Sequence, residues 1–249
     1  MKVQCMILAG GLATRMRPLT DHVPKALLRV GEEPFAHFQL AWLARHGVTD
    51  VVYSIAYKGE MIRKFVGDGS RWGLRVTYVD EGNRLLGTGG AIRLAFDKGV
   101  LEPQFLMTYG DSFLPIDFLE VWRAFKATSG LALMTVFRNN GSWDKSNALF
   151  VDGQVVLYDK FPTKAQAKEM CFIDYGLSAF DRSIIEKEIP PGQKFDLATL
   201  LKKLSTDGKL AGLEFKERFY EIGSPQGLQD FTQWVETHSN TKDERGKGQ

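Results

Sequence analysis

Apolar positions along this chain fall into two rhythms: short continuous runs, and longer stretches in which they return every three or four residues. The run "KVQCMIL" (2–8) predicts a first strand, and "FAHFQLAWLARHG" (35–47) an amphipathic helix stopped by Gly47. The pair repeats as "VVYSIAY" (51–57) and "GEMIRKFVG" (59–67), then continues with "LRVTYV" (74–79), "TGGAIRLAF" (88–96) and "QFLMTY" (104–109). Short apolar strands alternating with helices predict an α/β fold, a doubly wound, mostly parallel, Rossmann-like sheet covered on both sides. From about Leu131 the rhythm changes. Strand-like "LALMTVF", "NALFV" and "VVLYDK" crowd around the turn "VDGQ", which predicts antiparallel hairpins added in the second half. Another strand, "CFIDYGLSAF" (171–180), precedes helical segments from Asp181 and Asp196, then "RFYEI" (218–222) and a last amphipathic helix, "PQGLQDFTQWVETH" (225–238). The tail 239–249 is polar and expected to fray. No internal repeat or shift in composition marks a linker, so residues 1–238 are expected to form one domain.

Composition narrows the classes of function. With 249 residues, 44% hydrophobic and 25% charged, the chain has apolar material for a sizeable core. A net charge of +2, without a run of lysine and arginine interleaved with aromatics, argues against a nucleic-acid partner and for a small anion. No stretch approaches the ~20 apolar residues of a membrane span, and the opening run lacks the longer core and cleavage site of a signal peptide. A cytoplasmic protein with no membrane partner is therefore expected. Cys5 and Cys171 sit in apolar surroundings without the spacing of a zinc or redox motif, and are expected to be buried free thiols rather than a disulfide.

In an open parallel sheet, ligands bind beyond the carboxyl ends of the strands, and four segments fall there. The first is "LAGGLATRMRPLTDHVPK" (8–25), where Gly10 and Gly11 allow close approach of backbone N–H groups to phosphate oxygens, and Arg15, Arg17 and Lys25 supply charge. A tight strand-to-helix connection with solvated arginines is the competing reading. The second is "EGNRLLGTGGA" (81–91), whose Gly87, Gly89 and Gly90 open a helix and would let backbone lie against a flat ligand such as a base. In the third, "MTYGDSF", Asp111 follows a strand and a glycine, a place for a carboxylate that holds Mg²⁺ or merely caps the next helix. The fourth, "RFYEIGSP", ends a late strand on Glu221, and two acids can share a metal with phosphate oxygens where one holds it poorly. Lys160, in "LYDKFP", adds a cation at a hairpin end, where a lysine is commonly just solvated.

Familiar nucleotide folds do not match these segments. A dinucleotide site wants G-x-G-x-x-G and an acid ending the second strand, whereas this chain reads "GGLATR" and "SIAYKG", and it has no G-K-[ST] for a P-loop. Instead, "LAGGLATRMRPLTDHVPKALL" resembles the signature loop of the sugar-1-phosphate nucleotidyltransferases, and "LGTGGAI", "YGDSF", "YDK", "DYGLSAF" and "YEIGSP" match the family's later landmarks in order. The resemblance runs from Val3 to Val235, and the compact length is similar to that of short members acting on heptose 1-phosphate or N-acetylmuramic acid 1-phosphate.

The resemblance implies in-line attack of a sugar 1-phosphate oxygen on the α-phosphorus of a nucleoside triphosphate, with pyrophosphate leaving, for bacterial surface polysaccharide or glycoconjugate synthesis. It assigns residues 1–130 to the nucleotide and 131–238 to the sugar phosphate. Leu8, Ala9, Gly10, Gly11 and Arg15 would cradle the triphosphate, and Lys25 would stabilise the α-phosphate. Asp111 and Glu221 would hold Mg²⁺, for which Mn²⁺ could substitute. Glu81 and Gly87 match base or ribose contacts, Lys160 the cation gripping the sugar phosphate, and Gly176 the strand passing the hexose. A homo-oligomer stays open. Three positions depart from the family pattern: Ala13, whose Cβ disfavours φ > 0 and is expected to shift the loop; Tyr109, in place of an Asn; and Glu221, in place of an Asp. Two rivals are a glycosyltransferase, for which "GDSF" lacks the second Asp of an Asp-x-Asp motif, and a catalytically silent nucleotide-sugar sensor, which has no need of Lys25 and the paired acids that this chain keeps.

Overall fold

Side chains along the first strand point alternately to two different cores, Cys5 and Ile7 to one and Met6 to the other, so the strand is buried on both faces. The computed structural model describes residues 2–128, 130–139 and 144–240. In chain order, β1 (Gln4–Leu8) is followed by the short pair β2 (Arg29–Val30) and β3 (Glu33–Pro34), then α1 (Phe35–Arg45), β4 (Asp50–Ile55), α2 (Gly59–Val66), β5 (Arg75–Asp80), α3 (Gly87–Asp97) and β6 (Gln104–Tyr109). There follow β7 (Ser112–Phe113), α4 (Phe118–Ala127), β8 (Ala132–Arg138), β9 (Ala148–Val151), β10 (Gln154–Tyr158), α5 (Lys164–Glu169) and β11 (Phe172–Asp181). The chain ends with α6 (Arg182–Glu188), α7 (Leu197–Thr206), β12 (Leu210–Phe215), β13 (Tyr220–Glu221) and α8 (Pro225–Asn240).

Nine strands form one sheet in the order β5-β4-β1-β6-β11-β8-β12-β10-β9. The first four are mutually parallel, β11 enters antiparallel between β6 and β8, and β9–β10 is an antiparallel hairpin at the far edge. This is the expected doubly wound α/β sheet with antiparallel additions. Its hairpin turns on Asp152 (φ 48°) and Gly153 (φ 80°), the two left-handed residues that a tight turn matching strand twist requires. One face packs against α1, α2 and α4 through Leu40, Ile62 and Phe125; the other packs against α3, α6 and α7 through Ile92, Ile185 and Leu201. Asp181 and Asp196 cap α6 and α7 as the pattern predicts. No helix among the described residues is long and apolar enough to cross a membrane.

Several elements differ from expectation. Strand β12, "LAGLEF", has no β-branched residue and carries Gly212, whose missing Cβ would come within 2.5 Å of the Phe150 ring, so packing and not propensity makes it a strand. Helices α4 and α5 are additional to those predicted. Cys5 is buried as expected, but Cys171 is only half-buried, and both thiols are free. Helix α8 continues to Asn240, two residues into the predicted tail, and the remainder of that tail lies outside the described residues.

Level strand ends are what position the site. Parallel pairing sets Leu8 beside both Ser54 and Tyr109, and Ile55 beside Asp80, so the carboxyl ends of β1, β4, β5 and β6 open on one edge. A third cluster, including Met16, Phe35, Phe113, Ile222 and Phe231, anchors the long loop after β1 and the two-stranded ribbon β7–β13 beside that edge. Gly227 of α8 lies so close to this ribbon that a Cβ there would stand 2.0 Å from the Glu221 carbonyl oxygen. Gly227→Ala is therefore expected to destabilise the fold by about 1–3 kcal/mol through overpacking against backbone, read as a fall in Tm by circular dichroism. An unchanged Tm would mean that α8 does not hold the ribbon.

Candidate active site

The loop after β1 leaves the sheet under tension from three sides. Ala9 N–H donates to the Ser54 carbonyl at 2.9 Å, Gly110 N–H to the Leu8 carbonyl at 2.8 Å, and a Cβ on Gly10 would meet Glu81 Oε1 at 2.5 Å. Glycine is needed at position 10 because the Glu81 carboxylate fills the space. Neither Gly10 N–H nor Gly11 N–H donates to a protein acceptor among the described residues, so both are available to an anion. Ala13 corrects the expectation of a shifted loop. It adopts the left-handed conformation (φ 52°, ψ 34°), held by hydrogen bonds to its carbonyl from Met16 N–H at 3.0 Å and Thr20 Oγ1 at 2.9 Å. A non-glycine residue there costs roughly 1–2 kcal/mol.

The three cations of the loop divide between surface and site. Arg17 pairs with Asp21 at 3.4 Å in solvent. Buried Met16 turns the chain between the arginines, and Arg15 reaches the cleft. There a Cβ on Gly223 would lie 3.6 Å from Arg15 Nη2, 3.9 Å from Asp111 Oδ2 and 3.9 Å from Lys25 Nζ, so three charged groups converge on one glycine. Lys25 Nζ donates to Asp111 Oδ2 at 2.7 Å, and both side chains are mostly shielded from solvent.

The ribbon β7–β13 brings the two predicted acids together. Ser112 pairs with Glu221, and Ile222 N–H donates to the Asp111 carbonyl at 2.9 Å. Gln39 of α1 fixes the same turn, its amide donating to the carbonyls of Tyr109 at 2.8 Å and Ser112 at 2.7 Å. Asp111 is not spent on a helix cap, because Asp117 caps α4. Glu221 is solvent-accessible but walled by the cleft. That withdrawal from bulk water, followed by the nearby Asp111 and Asp174 carboxylates, pushes its carboxyl up to about 7 against the pull of Lys25 and Arg15.

Beside these charges is a cavity of about 400 Å³, and Leu8, Ala9, Gly10, Gly11, Lys25, Glu81, Gly87 and Asp111 all line it. Of the residues predicted for the nucleotide, only Arg15 stands outside that lining, at the Gly223 side. Glu81 also shapes the wall: its carboxylate accepts Leu86 N–H at 3.0 Å and Ser54 Oγ at 3.3 Å. The glycines of α3 correct another expectation. Gly89 and Gly90 N–H both donate to the Phe195 carbonyl, at 2.9 and 3.1 Å, and a Cβ on Gly87 would stand 2.7 Å from that same oxygen. The protein's own segment 193–197 takes the close approach that had been expected of a base, although Gly87 still borders the cavity.

Neither Lys160 nor Gly176 lines this cavity. Lys160 Nζ contacts both carboxylate oxygens of Asp196 at 3.2 Å, so it is neither simply solvated nor free. Gly176 sits at a register break in β11 with φ 100°, a conformation that L side chains rarely adopt, and its carbonyl accepts Thr108 Oγ1 at 2.9 Å. Sequence reasoning passed over Asp174, Tyr109 as a wall, and Lys194. Asp174 accepts Gly176 N–H at 2.9 Å; burial pushes its carboxyl up to about 6, while that N–H and Lys160 draw it down. Tyr109 lines the cavity, and burial, then Asp174, Tyr158, Asp196 and Asp111, hold its hydroxyl protonated. Lys194 also lines the cavity, two residues before the helix-capping Asp196.

The chain is similar to several known proteins. A 27% identical relative, the D-glycero-alpha-D-manno-heptose 1-phosphate guanylyltransferase of Campylobacter jejuni, matches over 92% of this chain and 98% of its own. The UTP–glucose-1-phosphate uridylyltransferase of a Synechocystis strain is 25% identical over 83% of this chain, which spans 56% of that longer relative. The crystal structure of HddC from Yersinia pseudotuberculosis complexed with GMP-PN has the same fold, with a TM-score of 0.75 at 23% identity, covering 94% of this chain and 99% of that one. The family model described as nucleotidyl transferase matches residues 4–149, more than half of the chain, which therefore belongs to the nucleotidyl transferase family.

Proposed function

We propose that the protein condenses a sugar 1-phosphate with a nucleoside triphosphate, giving a nucleoside-diphosphate sugar and pyrophosphate. The observation that carries this reading is the convergence of Arg15, Lys25 and Asp111 on Gly223, with Glu221 beside them, at the mouth of a glycine loop whose N–H groups are unspent. Phosphoryl transfer between two anions asks a protein mainly to align them and to balance their charge. In this reading the triphosphate runs along Leu8, Ala9, Gly10 and Gly11, with Glu81 and Gly87 bordering the nucleoside. Lys160 meets the sugar phosphate, and Gly176 lets the backbone approach the hexose. A phosphate oxygen of the sugar forms a bond to the α-phosphorus as the bond to pyrophosphate breaks. Lys25 holds the charge rearranging at the α-phosphate, and Arg15 holds the departing pyrophosphate.

The donor set fits Mg²⁺, or Mn²⁺ in its place. Asp111 and Glu221 offer hard oxygen ligands, and the upward push of Asp111 on the Glu221 carboxyl is what a divalent cation would relieve. No group of three metal-ligating side chains occurs among the described residues, so phosphate oxygens would complete the shell. When bound, the ion would neutralise phosphate charge. A product of this kind suits bacterial surface polysaccharide synthesis, and the reading puts the enzyme in the cytoplasm.

Pyrophosphate release measured over a grid of GTP, UTP, CTP and dTTP against sugar 1-phosphates tests the proposal, and no release in any well would overturn it. Turnover is expected to vanish with EDTA and to return with Mg²⁺ or Mn²⁺. Asp111→Asn should lose turnover while its circular dichroism spectrum is kept, and undiminished activity in that variant would sink the metal assignment. Lys25→Ala is expected to lower kcat roughly 10²-fold, by analogy with the loss of one oxyanion donor, and to weaken triphosphate binding much less. A loss confined to triphosphate binding, with kcat unchanged, would make Lys25 a ground-state anchor only.

A further inference from the structure

The connection between α6 and α7 crosses the start of α3 and is tied down where it enters α7. Phe195 N–H donates to the Leu86 carbonyl at 2.8 Å, and the Phe195 carbonyl accepts Gly89 and Gly90 N–H. Leu197 N–H donates to Thr88 Oγ1 at 2.9 Å, and that hydroxyl donates onward to Asp196 Oδ1 at 3.1 Å. Asp196 Oδ1 also caps α7 by accepting Ala198 N–H at 3.0 Å. Partial burial would raise the Asp196 carboxyl, but Ala198 N–H, Lys160 and Thr88 together hold it below the usual carboxylate range. The carboxylate is therefore charged and fixed before any substrate arrives. Thr88 and Lys194, on either side of it, line the cavity proposed for the nucleotide.

Lys160 is the only cation contacting this carboxylate among the described residues, and it does so symmetrically, at 3.2 Å to each oxygen. An exposed ion pair adds little to stability. Its value here is geometric, because a lysine on a flexible four-carbon stem otherwise samples many rotamers. An ammonium has three donors, and pairing with two oxygens leaves one to point elsewhere. We infer that Asp196 is a positioning residue, whose carboxylate, fixed by Thr88 and by the first turn of α7, holds the Lys160 ammonium where the sugar phosphate binds. The inference rests on the reading that Lys160 meets that phosphate. Charge and position predict opposite signs: removing a carboxylate beside an anion site should by charge alone favour the anion, whereas loss of positioning should harm the reaction.

The test is a double-mutant cycle on the full chain, with kcat/KM measured while the sugar 1-phosphate is varied. In Asp196→Asn the amide oxygen still accepts Ala198 N–H and Thr88 Oγ1, so the cap and Tm are expected to persist while the ion pair is lost. We expect kcat/KM to fall about tenfold, as small misplacements of a binding group do. In a Lys160→Ala background the same change should cost less than about twofold further, because residues acting through one another are not additive. A rise in kcat/KM, no change, or an equal loss in both backgrounds would overturn the inference. If Lys160→Ala alone leaves the KM for sugar 1-phosphate unchanged, the reading of Lys160 itself fails, and that result is distinguishable from the others.

Discussion

Two carboxylates from distant parts of the chain, Asp111 and Glu221, must be held side by side in a walled cleft, and much of the architecture answers that constraint. Like charges at close range disfavour one another, and withdrawal from water worsens it. The structure counters with Lys25 at 2.7 Å from Asp111 and with Arg15 nearby. Holding the acids in place takes a ribbon, β7–β13, of only two residues per strand. Such a pairing is not stable alone. It is secured by Gln39 from α1, by α8 closing on Gly227, and by the aromatic cluster of Phe35, Phe113, Phe231 and Trp234. Packing of those rings is thus part of what fixes the acids.

What could be read from the sequence was what is local in the chain. A glycine pair directly after an apolar run, and acids directly after strands, announce themselves because the carboxyl edge of a parallel sheet is set by pattern alone. The pairing of Asp111 with Glu221 was expected from two acids at strand ends and from the family resemblance, but the ribbon that brings them together is too short to show a period. Strand β12 was missed because the contact between Gly212 and the Phe150 ring, not residue preference, makes it a strand. The glycines at 87, 89 and 90 misled for a related reason. Glycine records that something comes close to the backbone, without recording what; here it is chiefly the Phe195 carbonyl. Ala13 is the converse case, a residue whose side chain argues against its observed backbone, held there by two hydrogen bonds to its carbonyl.

That use of the α3 glycines bears on where an anion goes. A helix start is normally a ready phosphate site, through its unpaired N–H groups. In α3 two of those groups are consumed by Phe195, so the helix gives up that option and accepts a rigid crossing segment instead. Unspent donors are found on the loop at Gly10 and Gly11. The proposed phosphate subsite is therefore at the end of β1, next to Lys25 and Arg15, while the crossing segment carries Lys194 to the cavity and Asp196 to Lys160.

Charge balance in the cleft ties these features together. Lys25 faces Asp111 and Lys160 faces Asp196, while Glu81, Asp174 and Glu221 add further carboxyls, so the cleft is not a purely cationic pocket. A purely cationic pocket would bind phosphate tightly in every state, and uniform binding does not accelerate a reaction. With Lys25 already paired to Asp111 and Lys160 to Asp196, a phosphate would have to compete for either ammonium, and the acid it displaced would be left uncompensated. A divalent cation, if held by Asp111 and Glu221 as proposed, would offset that imbalance and free Lys25 for the phosphate. On this argument the proposed metal requirement follows from the protein's own charge pairing as much as from the chemistry of phosphoryl transfer.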